Sequence, residues 1–176
     1  MGSNFGNCID WVLRIEDRAL KGIVKDLGDG QGRTRFGIAE KSHPDLSPAF
    51  YTASASVVLE EAKQVYWEEY WQPIKGTFLP TDELAATLLS FAVNDGVHQA
   101  VLTLQRSLEG DLVIDGGMGP KTLEAVLAQP AAIVAANLRI HQESFYRDLV
   151  QRDQTKVKFL PGWVTRARVV YPDLPS

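Results

Sequence analysis

Ile9, Val12, Leu13, Glu16, Ala19 and Leu20 recur at i, i+3, i+4 and i+7, a spacing that predicts a first helix from about Asn7, taken as its N-cap, to Leu20. From Lys21 to Ile38 the helical period is lost. Gly22, Gly28, Gly30, Gly32 and Gly37 fall there, five of the 14 glycines, so this stretch reads as a turn-rich loop or small β-hairpin. A connection over 43–54 leads to a second helix, about Ser56 to Trp71, with Val58, Ala62, Val65 and Tyr66 inward and Pro73 as its stop. Thr81 caps a third, whose stripe is Leu84, Leu88, Leu89, Ala92 and Val93, closed by a left-handed Gly96. A fourth helix spans about Val97 to Leu108 with Val101, Leu104 and Leu108 inward. Asp115-Gly116-Gly117-Met118-Gly119 is then a turn, and Pro120 opens a short fifth helix. Pro130 opens a long sixth to about Asp153, apolar at Ile133, Val134, Leu138 and Phe145, and the tail has room for one more. The expected architecture is a mostly α, α+β domain over 1–176 with its small hairpin near 22–38.

Composition narrows the function classes. With 45% hydrophobic and 23% charged residues the 176-residue chain is globular, and at this size it can bury about 70% of its unfolded surface without a metal or disulfide staple. The single Cys8 has no partner within the chain. Lys and Arg number 18 against 22 Asp and Glu, a net charge of −4, and no helix carries a basic stripe, so nucleic acid is not an expected partner. Asp10, Arg14, Glu16 and Asp17 interrupt the N-terminal apolar positions, so no secretory signal is read, and no stretch reaches the roughly 20 apolar residues that span a bilayer. Synthesis in the cytoplasm and no membrane insertion are the expectations.

Spacing removes several chemistries. His43, His98 and His141 lie on separate elements without a Cys or His at ligand spacing, so neither a zinc site nor any other cofactor is expected. Pro120 stands where the second glycine of a phosphate loop belongs. Residues 26–30 lack the alternating acids and the closing glutamate of a calcium loop. No Gly-x-Ser-x-Gly elbow marks a serine nucleophile. What remains is Glu16 on an apolar stripe, where an unused carboxylate is costly, followed after a glycine-rich loop by Asp26, Asp29 and Thr34. Splitting a glycosidic bond needs an acid whose pKa an apolar setting raises, and a second polar group for the water or the developing positive charge.

Glu16 and the run Asp29-Gly30-Gln31-Gly32-Arg33-Thr34-Arg35-Phe36-Gly37-Ile38 resemble the N-terminal signature of the family 108 glycoside hydrolases, peptidoglycan muramidases of endolysin type. Tyr66, Tyr70-Trp71 and Pro73 resemble the end of the family's second helix, and Phe91 to Gly96 with Leu104-Gln105-Arg106 its helix pair. Asp115 to Thr122 is similar to a turn of peptidoglycan-binding modules, and Gly162-Trp163 with Arg166 to a C-terminal Gly-Trp-x-x-Arg. The resemblance implies a lysozyme-like fold with a catalytic half at 7–95 and a peptidoglycan-binding-like half at 97–168. It implies cleavage of the β-1,4 bond between N-acetylmuramic acid and N-acetylglucosamine, with Glu16 as acid, Asp29 assisting water or stabilising charge, Thr34 orienting the water, and Tyr70 and Asn94 touching substrate. Asp17-Arg18-Ala19 stands where the family has Gly-Gly-Tyr, residues 17–28 carry an insertion that leaves Asp26 as an alternative to Asp29, and Phe36 replaces a tryptophan.

Two alternatives accompany this reading: a lytic transglycosylase of the same fold, which needs only the glutamate, and a non-catalytic wall-binding module. The implied partners are peptidoglycan glycan strands and, for an antibacterial effector, an immunity protein that blocks the cleft. The free chain is expected as a monomer. It would act in the periplasm or cell wall after holin-dependent release as an endolysin, or after delivery by a secretion system as a toxin.

Overall fold

A computed structural model describes residues 4–16, 21–26 and 32–173, and within them the chain is mostly helical with a small antiparallel sheet, the α+β lysozyme-like arrangement expected. Helix α1 (Phe5–Glu16) begins three residues earlier than a cap at Asn7 would place it. Asn4 caps it, its side-chain oxygen accepting from the Asn7 N–H at 3.2 Å. Asn7 is thereby freed to bind Asp82 across the domain at 3.0 Å. Ile9, Val12 and Leu13 are fully buried, each contributing about 1.5–3 kcal/mol of apolar transfer. Residues 17–20, read as the end of this helix, lie outside the described residues.

The sheet has three strands in sequence order, β1 (Lys25–Asp26), β2 (Arg33–Arg35) and β3 (Ile38–Ala39), one more than the hairpin expected. Between β2 and β3 both Phe36 (φ 50°) and Gly37 (φ 80°) have positive φ, as a mirror-image two-residue hairpin turn requires. A phenylalanine pays a steric cost there. The Tyr66 hydroxyl offsets it by donating to the Phe36 carbonyl at 2.6 Å, and the ring is buried. That ring lies over Gly22 (φ 53°), where a Cβ would come within 2.4 Å of it.

Helix α2 (Ala55–Tyr66) buries the four residues its period names and runs into a π-helical turn, Trp67–Trp71. Phe5 packs against Trp67 and Trp71 at 5.0 and 5.3 Å, joining that turn to α1. Helix α3 (Asp82–Asp95) is the centre of the domain. Every residue from Leu84 to Ala92 is buried, and it packs against α1, α4 (Val97–Ser107) and α6 (Ala131–Arg152). Thr81 caps it as expected, accepting from the Leu84 N–H at 3.3 Å. Gly96 has φ 86° but ψ 151°, extended rather than left-handed helical, so α3 passes directly into α4 at a corner only glycine accommodates. Pro120 begins α5 (Pro120–Leu127), and α7 (Leu160–Arg168) packs back on α6. Ile133, predicted inward, is instead 54% exposed, because α6 turns Val134, Leu138 and Tyr146 to the core.

The turn over 115–119 is organised by one side chain. Gln105, 2% exposed, accepts from the Asp115 and Gly116 N–H groups at 3.0 and 2.8 Å and donates to Asp115, Gly117 and Thr122. The Gln105 amide, and then the Gly117 N–H at 2.8 Å, donate to the Asp115 carboxyl and hold it below its ordinary range.

Candidate active site

The unit at the N-terminal half is assembled around β2. Arg35 is 4% exposed, and its guanidinium donates to the carbonyls of Gly22 (2.8 Å), Phe50 (2.6 Å) and Ala53 (2.9 Å). It thus ties the segment after α1, the hairpin and the turn at Pro48–Tyr51 into one body. On the same face of β2, Arg33 pairs with Glu40 at 2.6 Å and lies over Tyr51 at 5.1 Å. The Arg33 side-chain and backbone hydrogen bonds bring the Glu40 carboxyl down to about 2.

Thr34, between these arginines, points to the opposite face and is half-buried. The register pairs Lys25 with Thr34 and Asp26 with Arg33. Asp26 therefore shares the face of Arg33 and Arg35, not that of Thr34. Tyr70 is half-buried, 5.6 Å from Tyr66, whose hydroxyl holds the turn that follows β2. Burial, then the neighbouring Glu69, raises the Tyr70 phenol pKa, so the group stays a neutral donor. Thr34 and Tyr70 are consequently joined to one hairpin-and-helix unit. Glu16 is the last residue of α1; its side chain, and all of Asp29, lie outside the described residues.

Asn94 belongs to a different network. Its amide donates to the Tyr146 hydroxyl (3.0 Å) and to Asp95 (2.9 Å) instead of capping α3. Tyr146 donates to Asp95 at 2.5 Å, accepts from Gln142 at 3.1 Å and stacks on Trp163 at 5.2 Å. Burial raises the Asp95 carboxyl pKa, and Tyr146 and Asn94 pull it back. This knot fastens α3 to α6 and α7. Phe36, placed at the family's tryptophan, turns its ring into the core rather than offering it to a sugar.

Reading the sequence missed Arg35 and Gln105. Arg35 looks like one more cation in a polar loop, and only its place opposite the apolar Ile38 across the two-residue turn hints otherwise. Gln105 carries a plainer signal, since it stands four residues after Val101 on the apolar stripe of α4. Among the described residues no group of His, Cys, Asp and Glu is arranged to hold a metal ion. None of their helices alone is long and apolar enough to cross a membrane.

A small three-stranded sheet set against a helical body is the arrangement of the lysozyme-like fold. The model of the family described as Glycosyl hydrolase 108 matches residues 9–96, half of the chain, and that of a Predicted Peptidoglycan domain matches 99–168. The chain belongs to the glycosyl hydrolase 108 family, and the two matches together make it a peptidoglycan-degrading glycosyl hydrolase. The solved structure of SagA from Brucella abortus is similar over 96% of both chains, with a TM-score of 0.64 and 24% identity, a likeness of fold. No curated protein matches the chain.

Proposed function

We propose that the enzyme is an N-acetylmuramidase that hydrolyses the β-1,4 bond from N-acetylmuramic acid to N-acetylglucosamine. Glu16 protonates the leaving oxygen, Asp29 assists the water or stabilises the oxocarbenium charge, and Thr34 orients the water. The observation that carries this reading is the extent of the family match, since residues 9–96 contain Glu16, Asp29, Thr34, Tyr70 and Asn94 together. Tyr70 offers its phenol and ring edge to a sugar, and Asn94, exposed at the end of α3 and held by Tyr146 and Asp95, contacts the substrate as well.

The sheet register favours Asp29 over Asp26 as the second carboxylate. Asp26 stands across from Arg33, on the face turned away from Thr34. Asp29→Asn is therefore expected to cut turnover by about a hundredfold, the lower end of the usual range for loss of acid–base assistance, and Asp26→Asn to leave it within about twofold. Initial rates of turbidity loss in a cell-wall suspension measure both; equal, small effects would remove Asp29 from the mechanism.

The substrate lies outside the cytoplasmic membrane, so we place the site of action in the periplasm or wall, reached by phage-type lysis or by a secretion route. Production of the 176-residue chain in a bacterial cytoplasm should be tolerated, while fusion of a secretory signal to Met1 should cause rounding and lysis that Glu16→Gln abolishes. Equal lethality of the unfused cytoplasmic form, with no holin or secretion system present, would show that the target is not the wall. An effector role would add an immunity protein that covers the cleft; the free enzyme is proposed to be a monomer.

A further inference from the structure

Between α4 and α6 lies a cavity of about 230 Å³ that the catalytic scheme does not use. Thr103 and Arg106 line it from α4, and His141, Phe145, Asp148 and Arg152 from α6. On α6 these four fall at i, i+4, i+7 and i+11, and on α4 Gln99, Thr103 and Arg106 at i, i+4 and i+7, so each helix turns one continuous stripe toward the other. The floor is fixed. Thr103 is buried and accepts from Gln99 at 3.1 Å, and the Phe145 ring packs on Phe91 and Tyr146 at 5.8 and 5.4 Å.

The arginines around it differ from the others of this half of the molecule. Arg139 is paired with Glu83, Arg147 and Arg168 share Glu143, and Arg166 binds Ser90. Arg106 and Arg152 make no ion pair or side-chain hydrogen bond among the described residues, and both line this cavity. The same holds for Asp148 and His141. Two guanidiniums, an imidazole and one carboxylate around a small recess fit a ligand that carries both carboxylates and an ammonium group. In the intact wall the lactyl carboxyl of N-acetylmuramic acid is tied up in the amide to the peptide, so the glycan backbone offers neither a carboxylate nor an ammonium group. The peptide that branches from it carries both.

We propose that this cavity holds the stem peptide of peptidoglycan, with its carboxylates on Arg106 and Arg152 and its free amino group on Asp148. It lies in the part of the chain matched by the peptidoglycan domain, and the proposal rests on the peptidoglycan reading above. The volume admits about one or two amino-acid residues, below the 300–1,000 Å³ of sites for larger ligands. Docking there would hold a cross-linked strand by its branch while the N-terminal half cuts the backbone, so the cavity should lower KM on intact wall and leave kcat alone.

The test is a calorimetric titration of the full chain with the synthetic tetrapeptide L-Ala-γ-D-Glu-meso-diaminopimelate-D-Ala. Saturable binding is expected, weakened roughly tenfold or more by Arg106→Gln with Arg152→Gln and by Asp148→Asn, each loss being that of a charge-assisted contact. Acetylating the diaminopimelate amine should weaken binding to the wild type but not further to Asp148→Asn. On intact wall the variants should raise KM, while glycan strands stripped of peptide by an amidase are cleaved at the wild-type rate. Absent binding, or equal binding by all variants, would overturn the proposal. Failure of the wild type to cleave stripped strands would strike the glycosidase assignment instead, and the titration reads the cavity independently of it.

Discussion

Glu16→Gln should lower the rate of cell-wall hydrolysis by about a hundredfold or more while leaving the thermal midpoint unchanged. Glutamine keeps the length and shape of the side chain and loses the transferable proton, so the deficit is that of general-acid assistance to the leaving oxygen. Stability should be spared because α1 is held by residues other than its last. Ile9, Val12 and Leu13 are fully buried, and Asn4 and Asp82 fasten its first turn. Position matters as much as chemistry, since the end of α1 leads into the segment whose Gly22 carbonyl Arg35 anchors. Turbidity loss in a wall suspension and a circular-dichroism melt together read the two halves of this expectation. Lysis at the normal rate would take the acid away from Glu16.

Arg35→Met should destabilise the fold by about 3 kcal/mol, because three carbonyls lose a charged donor and leaving a buried acceptor unpaired costs roughly 1–3 kcal/mol each, offset in part by no longer burying a cation. Arg35→Lys should fall between, since an ammonium keeps the charge but not the planar fork that reaches several carbonyls at once. Activity should fall further than the unfolded fraction accounts for. The guanidinium fixes the hairpin that carries Thr34 against the turn containing Phe50 and the segment after α1. Urea unfolding followed by tryptophan fluorescence measures the stability term, and a loss under 1 kcal/mol would mean that the three bonds do not hold this unit together.

The helical skeleton was legible because most helices here bury one stripe, and a 3.6-residue period survives in the sequence even where ends do not. Ends depend on single hydrogen bonds. The choice of Asn4 over Asn7 as cap of α1 turns on Asp82, 75 residues from Asn7, which claims the Asn7 amide. Ile133 misled because one apolar residue can stand on the exposed side of a helix whose neighbours already satisfy the core. At the site, the family pattern pointed to Glu16, Asp29 and Thr34, whereas the residues that assemble the unit were illegible. Arg35 and Gln105 serve backbone groups, and which carbonyls or amides converge on them is known only once the chain is folded. Asn94 is a similar case: its amide ties α3 to Tyr146 of α6 and to Asp95, a role its place in the pattern did not reveal.

Mass spectrometry of the fragments released from purified peptidoglycan tests the central claim most directly, because it reads which bond breaks and how. A hydrolytic muramidase must release disaccharide-peptides ending in reducing N-acetylmuramic acid, with one water added per cut, and Glu16→Gln must release essentially none. Fragments ending in 1,6-anhydro-muramic acid would instead establish a transglycosylase that uses no water. Intact glycan strands with severed peptides, or binding to the wall with no fragment released at all, would contradict the glycosidase account.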